Sequence, residues 1–331
     1  MKLNRAITHR SRKNPSEYIS FNDHLATRYV HSRLWKQRCG PSGLHLFDRI
    51  SGLNILLDEV EVPRELWSSS PRQVSIALTN KCDLACVHCY ASKSYDELPY
   101  EDVIRWIMDL DANGCLGVGF GGGEPTLYPR FVELCQHAFQ NTRLSVTFTT
   151  HGHHINNRMT DQLRGNVHFI RVSMDGVDET YEAIRGRSFH AFKQQLKLIQ
   201  SISPFGLNIV VNQRTLPDLD KAVAIAEAGG AYEILLLPQI PILWKPGIDD
   251  TSLQNLQEWV MQYQGPLRLS IGESYSAGFP TCDPLPEENG LRAYAHIDAK
   301  GVLKRTSFHS TGVQICSSGV MNALGILYEQ T

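Results

Sequence analysis

The chain has 331 residues and lacks any hydrophobic run long enough to span a bilayer. Its most apolar stretch, residues 234–244, is broken by Pro238 and Pro241 and is about half the length a membrane helix needs. Charge of one sign is lacking as well. The 32 Lys plus Arg against 34 Asp plus Glu leave a formal charge of -2, which gives no basis for a general affinity for nucleic acid or an anionic membrane. Eight cysteines are too few and too unevenly placed for a secreted disulfide framework. Low-complexity segments and repeats of solenoid period are missing too. The basic first thirteen residues, with Lys2, Arg5, Arg10, Arg12 and Lys13, have no apolar core after them and read as a solvated tail rather than a targeting segment. With 42% hydrophobic and 20% charged residues, the composition is that of a globular protein, expected in the cytoplasm.

Three of the cysteines stand together, as Cys82, Cys86 and Cys89, in a C-x3-C-x2-C loop directly after an apolar run, while Cys39, Cys115, Cys135, Cys282 and Cys316 are scattered. In a reducing compartment, clustered cysteines bind metal. Zinc is the simpler occupant, but structural zinc sites show paired C-x2-C knuckles and a fourth ligand, and here only Cys86 and Cys89 make such a pair. His88 is too close to Cys89 in sequence to share one ion with it. An iron-sulfur cluster one protein ligand short is the favoured reading.

From about Arg72 to Leu237, short apolar runs alternate with amphipathic ones, which is the pattern of repeated βα units around a parallel sheet. Six strands are predicted, over Val74 to Leu78, Leu116 to Phe120, Leu144 to Thr149, Phe169 to Ser173, Leu207 to Val211 and Ile234 to Leu237. Helical spacing over Val103, Ile107 and Leu110, over Phe131, Leu134 and Phe139, from Ala222 to Ala228 and from about Thr251 to Tyr263 supplies helices between and after them. Residues 44 to 62 read as two strands about a Ser51-Gly52 turn, and residues 293–297 and 302–304 as a second hairpin. The expected domains are therefore an N-terminal tail and β-hairpin element (1–71), a core (72–265) and a C-terminal extension (266–331).

Ligands in such architectures sit outside the carboxyl ends of the strands. The first of these loops holds the three cysteines. The second is Gly121-Gly122-Gly123-Glu124-Pro125, where glycines allow close backbone approach and a carboxylate can receive an ammonium group. The fourth strand ends in Ser173-Met174-Asp175-Gly176, a hydroxyl and a carboxylate on the same rim or, equally, a turn. Arg185, twelve residues after Ser173, is either a partner for a ligand carboxylate or a solvated helix end.

Together these three loops resemble the radical S-adenosylmethionine (radical SAM) superfamily over about half the chain. The resemblance implies an α/β fold, a partial (β/α)6 TIM-like barrel, here with a small N-terminal β-hairpin element and a small α+β C-terminal extension. It implies one [4Fe-4S] cluster on Cys82, Cys86 and Cys89, with S-adenosylmethionine on the open iron. By the same likeness His88 would contact adenine, Gly122, Gly123 and Glu124 the methionyl ammonium, Ser173 and Asp175 the ribose region, Arg185 the methionyl carboxylate, and Asn212 the nucleoside. The implied reaction is reductive cleavage of S-adenosylmethionine to a 5'-deoxyadenosyl radical that takes hydrogen from a substrate, with no catalytic side chain assigned. One departure stands out. Members often have Thr-Asn-Gly after strand three, and this chain has Thr150-His151-Gly152 followed by His153 and His154. His151 reads as a loop residue and the following pair as solvent-facing.

The segment after Cys282 resembles a degenerate SPASM or twitch extension: Thr306 stands where a cysteine is expected, and Cys282 and Cys316, even with His309, cannot supply the usual four ligands of an auxiliary cluster. Relatives with such extensions modify ribosomally made peptides, so a precursor peptide is the expected substrate and a flavodoxin or ferredoxin the expected reductant. The alternatives are a radical SAM enzyme acting on a sugar, amino acid or tetrapyrrole, or a noncatalytic iron-sulfur or zinc protein.

Overall fold

The computed structural model describes residues 35–330 apart from 243–244, 283–284 and 286; the basic tail lies outside this range. The first element is a three-stranded antiparallel sheet in the order β1 (Trp35–Gly40), β2 (Gly43–Asp48), β3 (Asn54–Leu57). The expected turn at Ser51-Gly52 joins β2 to β3, but β1 is an addition to the predicted pair. Its inward positions are Lys36 and Arg38, both buried, so its alternation is invisible to a hydrophobicity pattern.

Each buried cation has its partners. Lys36 pairs with Asp111. The Arg38 guanidinium donates to both carboxylate oxygens of Glu288 at 3.0 Å, and to the carbonyls of Ser70 (2.9 Å), Gly114 (3.1 Å) and Arg292 (3.1 Å). Arg49 donates to the carbonyls of Phe139, Thr142 and Leu144. These carbonyls lie just before strands of the main sheet. The small sheet therefore docks on the amino ends of those strands, opposite the cysteine loop.

The main sheet has the order β10-β9-β8-β7-β6-β5-β4-β11-β12-β13. Six of its strands are those predicted: β4 (Gln73–Thr79), β5 (Gly117–Gly122), β6 (Ser145–Thr150), β7 (Phe169–Ser173), β8 (Phe205–Val211) and β9 (Glu233–Pro238), all parallel. Between and after them run α1 (Tyr100–Ala112), α2 (Phe131–Asn141), α3 (Asn157–Leu163), α4 (Asp178–Arg185), α5 (Phe189–Gln200), α6 (Leu219–Ala228) and α7 (Asp250–Gln262). Two further strands extend the parallel set, β10 (Arg268–Ile271) on β9 and β11 (Tyr294–Ile297) on β4. The predicted second hairpin is β11 with β12 (Val302–Lys304), followed by β13 (Val313–Gln314) and α8 (Val320–Glu329). A boundary at residue 265 thus falls inside one continuous sheet. Among the described residues β10 and β13 are its unpaired ends, so the sheet stays open, and no helix is long and apolar enough to cross a membrane.

Alternation along the strands separates two faces. Val74, Ile76, Leu78, Val118, Phe120, Val146, Phe148, Ile170 and Val172 pack under the helices with Val103, Ile107, Leu134 and Phe192. The other face mixes polar side chains with Phe169, Val210, Leu235 and Leu237. Ser75, Gly119, Thr147 and Phe169 share one row of the register, and Thr149, Arg171, Gly206 and Glu233 the next. Arg171 pairs with Glu233 there, and Ser75 Oγ lies 2.6 Å from both the Tyr294 hydroxyl and His296 Nδ1.

Candidate cofactor site

The cysteine loop leaves β4 at Thr79, and the glycines of the next loop are shaped by that exit. Gly123 donates its N–H to Thr79 O (2.7 Å) and Glu124 to Lys81 O (2.8 Å). A side chain at Gly122 would meet Thr79 O at 2.1 Å and one at Gly123 would meet Lys81 O at 2.2 Å. Gly122 also has φ of 132°, open to glycine and strained for other residues. The two glycines therefore seat the stem of the cysteine loop.

Within the loop Cys86 is buried and Cys82 and Cys89 are half-buried, all three as free thiols. The Cys89 N–H closes a turn on Cys86 O (3.1 Å), the Leu84 N–H points at Cys82 Sγ (3.5 Å), and Lys245 Nζ holds Cys89 O (3.0 Å). Burial pushes the Cys82 and Cys86 thiols up; at Cys86 the Arg185 guanidinium, 3.4 Å from Sγ, opposes this. Among the described residues the three sulfurs do not gather within 4.8 Å of one another, whereas sulfurs on one tetrahedral zinc stand about 3.8 Å apart. At least one pair of the sulfurs is therefore too far apart to share one ion as they stand.

Asp175, after β7, ties this loop to the opposite rim. It is 1% exposed; its Oδ2 accepts from Arg185 and lies 2.9 Å from His88 Nε2, and its Oδ1 accepts the Val210 N–H at 2.8 Å. Burial alone would raise its carboxyl, but Arg185 and His88 outweigh that and hold it at about 2. Arg185 is thus a buried ion-pair partner in the last turn of α4 rather than a solvated helix end. Two buried nitrogens here have no hydrogen-bond partner, His88 Nδ1 and Arg185 Nε. Ser173 sits half-buried at the end of β7, in register with Asn208. Asn212 is turned onto its own loop: its Oδ1 accepts from the N–H groups of Arg214 and Thr215, and its Nδ2 donates to Gln239.

Glu124 is 1% exposed and faces β6. Its Oε1 accepts from Thr126 N (3.1 Å), Thr126 Oγ1 (2.6 Å) and Thr150 Oγ1 (2.7 Å). Its Oε2 accepts the His151 N–H (2.9 Å), with the His151 ring farther off at 3.4 Å, so Oε2 is the oxygen with a lone pair to spare.

The histidines correct two expectations. His151 is a buried side chain, not a plain loop residue, and its Nε2 reaches Asp83 Oδ1 at 2.9 Å. His153 and His154 are half-buried, not solvent-facing; His153 bonds the Tyr181 hydroxyl (2.9 Å) and His154 lies 3.1 Å from Asp83. Burial, with His151 nearby, pushes His153 down to about 4. Asp83 also takes a bond from Arg187 (2.7 Å). Burial raises its carboxyl, but His154, Arg187 and His151 together outweigh that and hold it well below the usual range. Asp83 and Arg187 escaped the sequence reading; the available signals were an acid inside the cysteine loop and three histidines just after β6.

The comparisons now decide the family. Residues 76–234 match the model of the Radical SAM superfamily. This segment, a little under half of the chain, carries a radical SAM domain. The mycofactocin maturase MftC of Mycobacterium tuberculosis is 30% identical over 164 residues, 46% of this chain and 41% of that protein. The sporulation killing factor maturation protein SkfB of Bacillus subtilis is 30% identical over 187 residues, 54% and 45% respectively. The chain thus spans less than half the length of these radical SAM relatives. In fold it is similar to Streptococcus suis SuiB bound to precursor peptide SuiA, with TM-score 0.71, 14% identity and coverage of 88% of this chain and 87% of that one. The expected α/β partial barrel is borne out.

Proposed function

We propose that this protein is a cytoplasmic radical SAM peptide maturase with a single [4Fe-4S] cluster on Cys82, Cys86 and Cys89. The observation that carries the reading is the junction of the cysteine loop with the β7 rim through His88, Asp175 and Arg185, within a radical SAM segment. Three free thiols on one loop, one short of the four that a structural zinc site takes, fit the cluster. The orphaned His88 Nδ1 and Arg185 Nε fit a polar ligand beside it.

S-adenosylmethionine bound there supplies one-electron carbon-sulfur cleavage and so a radical able to take hydrogen from substrate. The chain's own residues do the positioning. Glu124 Oε2, Gly122 and Gly123 form the end for the methionyl ammonium. Ser173 and Asp175 stand toward the ribose, His88 toward the adenine, and Arg185 toward the carboxylate. Asn212 contributes by shaping the loop beside the nucleoside. The extension from residue 266 covers the barrel edge as a twitch-like element without a second cluster, since Cys282 and Cys316 are both exposed and Thr306 bonds His309 (2.8 Å).

The substrate class follows from the inner face and the relatives. Hydrogen-bonding side chains and one ion pair, interspersed with Phe169, Leu235 and Leu237, suit a peptide's amides and side chains better than the broad apolar plane of a tetrapyrrole. MftC and SkfB are named for maturation, and the SuiB structure holds a precursor peptide. A flavodoxin or ferredoxin is the fitting reductant.

The test is anaerobic reconstitution with iron and sulfide, then dithionite and S-adenosylmethionine, measuring 5'-deoxyadenosine. Wild-type protein should form it and Cys86→Ala should not; equal behaviour of the two sinks the reading. Co-expression with short peptides encoded beside the gene, read by mass change, separates a peptide substrate from a small molecule.

A further inference from the structure

His151 occupies a place in this molecule that the shared cofactor chemistry does not require. Its main-chain N–H goes to Glu124 Oε2 at 2.9 Å. Its ring Nδ1 accepts the His153 N–H at 3.1 Å, so the ring proton resides on Nε2. That Nε2–H points between two carboxylates, Asp83 Oδ1 at 2.9 Å and Glu124 Oε2 at 3.4 Å. One of these acids lies in the cysteine loop, directly after Cys82. The other lies in the glycine loop, one strand away.

Cys82, Asp83 and His151 also form the one grouping of three possible metal donors within 4.8 Å among the described residues. A metal ion there is disfavoured by the same hydrogen bond. With Nδ1 engaged as an acceptor, Nε2 carries the proton of the neutral ring and has no lone pair for a cation. The geometry is that of a hydrogen-bond yoke.

We propose that His151 is a positioning residue that links the cluster loop to Glu124 and so couples the seat of the cluster to the site of the methionyl ammonium; this rests on the radical SAM reading above. Carboxylates only accept, so Asp83 and Glu124 cannot hydrogen-bond to each other and are linked through the His151 donor. Asp83 is an exposed residue whose other oxygen, Oδ2, accepts from Arg187 at 2.7 Å, and His154 Nε2 stands 3.1 Å from the same Oδ1 that His151 meets. The ring thus aims the His151 main-chain N–H at Glu124 Oε2 and orients the one oxygen of Glu124 that is not filled by threonine donors. An asparagine at position 151 would have a shorter reach to Asp83, so the link depends on the imidazole of Thr150-His151-Gly152.

The experiment uses anaerobically reconstituted, dithionite-reduced protein. It measures iron per chain and the S-adenosylmethionine concentration that half-converts the electron paramagnetic resonance signal of the cluster. His151→Phe keeps ring volume and removes the donor. His151→Gln places an amide N–H near Nε2 and serves as the conservative rescue. His151→Phe should retain the iron of wild type but need at least tenfold more S-adenosylmethionine, with His151→Gln within about threefold of wild type. Asp83→Leu should weaken the response as His151→Phe does, and the double variant should be no worse than either alone, the sign of one coupled unit.

If His151→Phe fails to hold iron, the decision passes to the Gln variant: iron and affinity near wild type support the yoke, and loss of either overturns it. An unchanged response in His151→Phe, or additive losses in the double variant, overturns it as well. Wild-type protein that takes up no iron, or whose signal ignores S-adenosylmethionine, overturns the radical SAM reading itself and the yoke with it.

Discussion

His88 Nε2 lies 2.9 Å from Asp175 Oδ2, and this contact joins the residue before the third cysteine to the loop after β7. The two residues are 87 apart in sequence, and each belongs to a motif that is ambiguous alone. Their meeting, with Arg185 on the same carboxylate, converts two loops into one wall of a site.

Because that carboxylate is buried and balances a buried guanidinium, Asp175→Leu should destabilise the apoprotein by about 3–5 kcal/mol in urea unfolding at pH 7. The same residue predicts a pH dependence. Its carboxyl is held at about 2 in the folded chain, against about 3.9 unfolded. Its contribution is therefore complete above about pH 4 and lost as pH falls toward 2. The unfolding midpoint of Asp175→Asn should fall less steeply over that interval than that of wild type; parallel curves would disprove the assignment.

The two glycines that seat the cysteine loop should differ from their neighbour. Gly123→Ala brings Cβ onto Lys81 O and Asn80 O, both backbone atoms, and should cost about 1–3 kcal/mol and weaken iron uptake. Gly121 has open space around its missing side chain, so Gly121→Ala should change stability by no more than about 0.5 kcal/mol. Denaturation and iron analysis of the pair check this.

Buried histidines set the response to mild acid. Burial pushes His153, His168 and His296 down to about 4, against about 6.5 unfolded. Their neutral forms stabilise the fold above about pH 6.5, and that stability is lost as pH falls through 4. At His168 the Arg49 guanidinium adds to burial in disfavouring the charged ring, and Nδ1, which accepts the Val146 N–H at 2.9 Å, cannot accept once protonated. His168→Asn retains an acceptor that does not titrate, and its melting temperature should depend less on pH between 6.5 and 4 than that of wild type.

Cys282 and Cys316 are both exposed. The double variant Cys282→Ala/Cys316→Ala should keep the iron and sulfide content of reconstituted wild type. A loss of iron in that variant would place an auxiliary centre in the extension.

Local order determined what the sequence by itself could show. Apolar alternation within five or six residues marks β4 to β9, because a strand packed under helices must present Val, Ile, Leu or Phe at every second position. The C-x3-C-x2-C spacing and the glycines before Glu124 are equally local, and they sufficed to point to the family. Tertiary structure decided the remainder, where stability comes from partners distant in sequence. β1 buries Lys36 and Arg38, which read as surface residues until Asp111 and Glu288 neutralise them. Strands β10 and β11 are short, and their place in the main sheet depends on β9 and β4 rather than on their own pattern. His151 looks like an ordinary loop residue until folding sets it between Asp83 and Glu124, because a hydrogen bond requires two groups within about 3 Å and no sequence spacing specifies that distance.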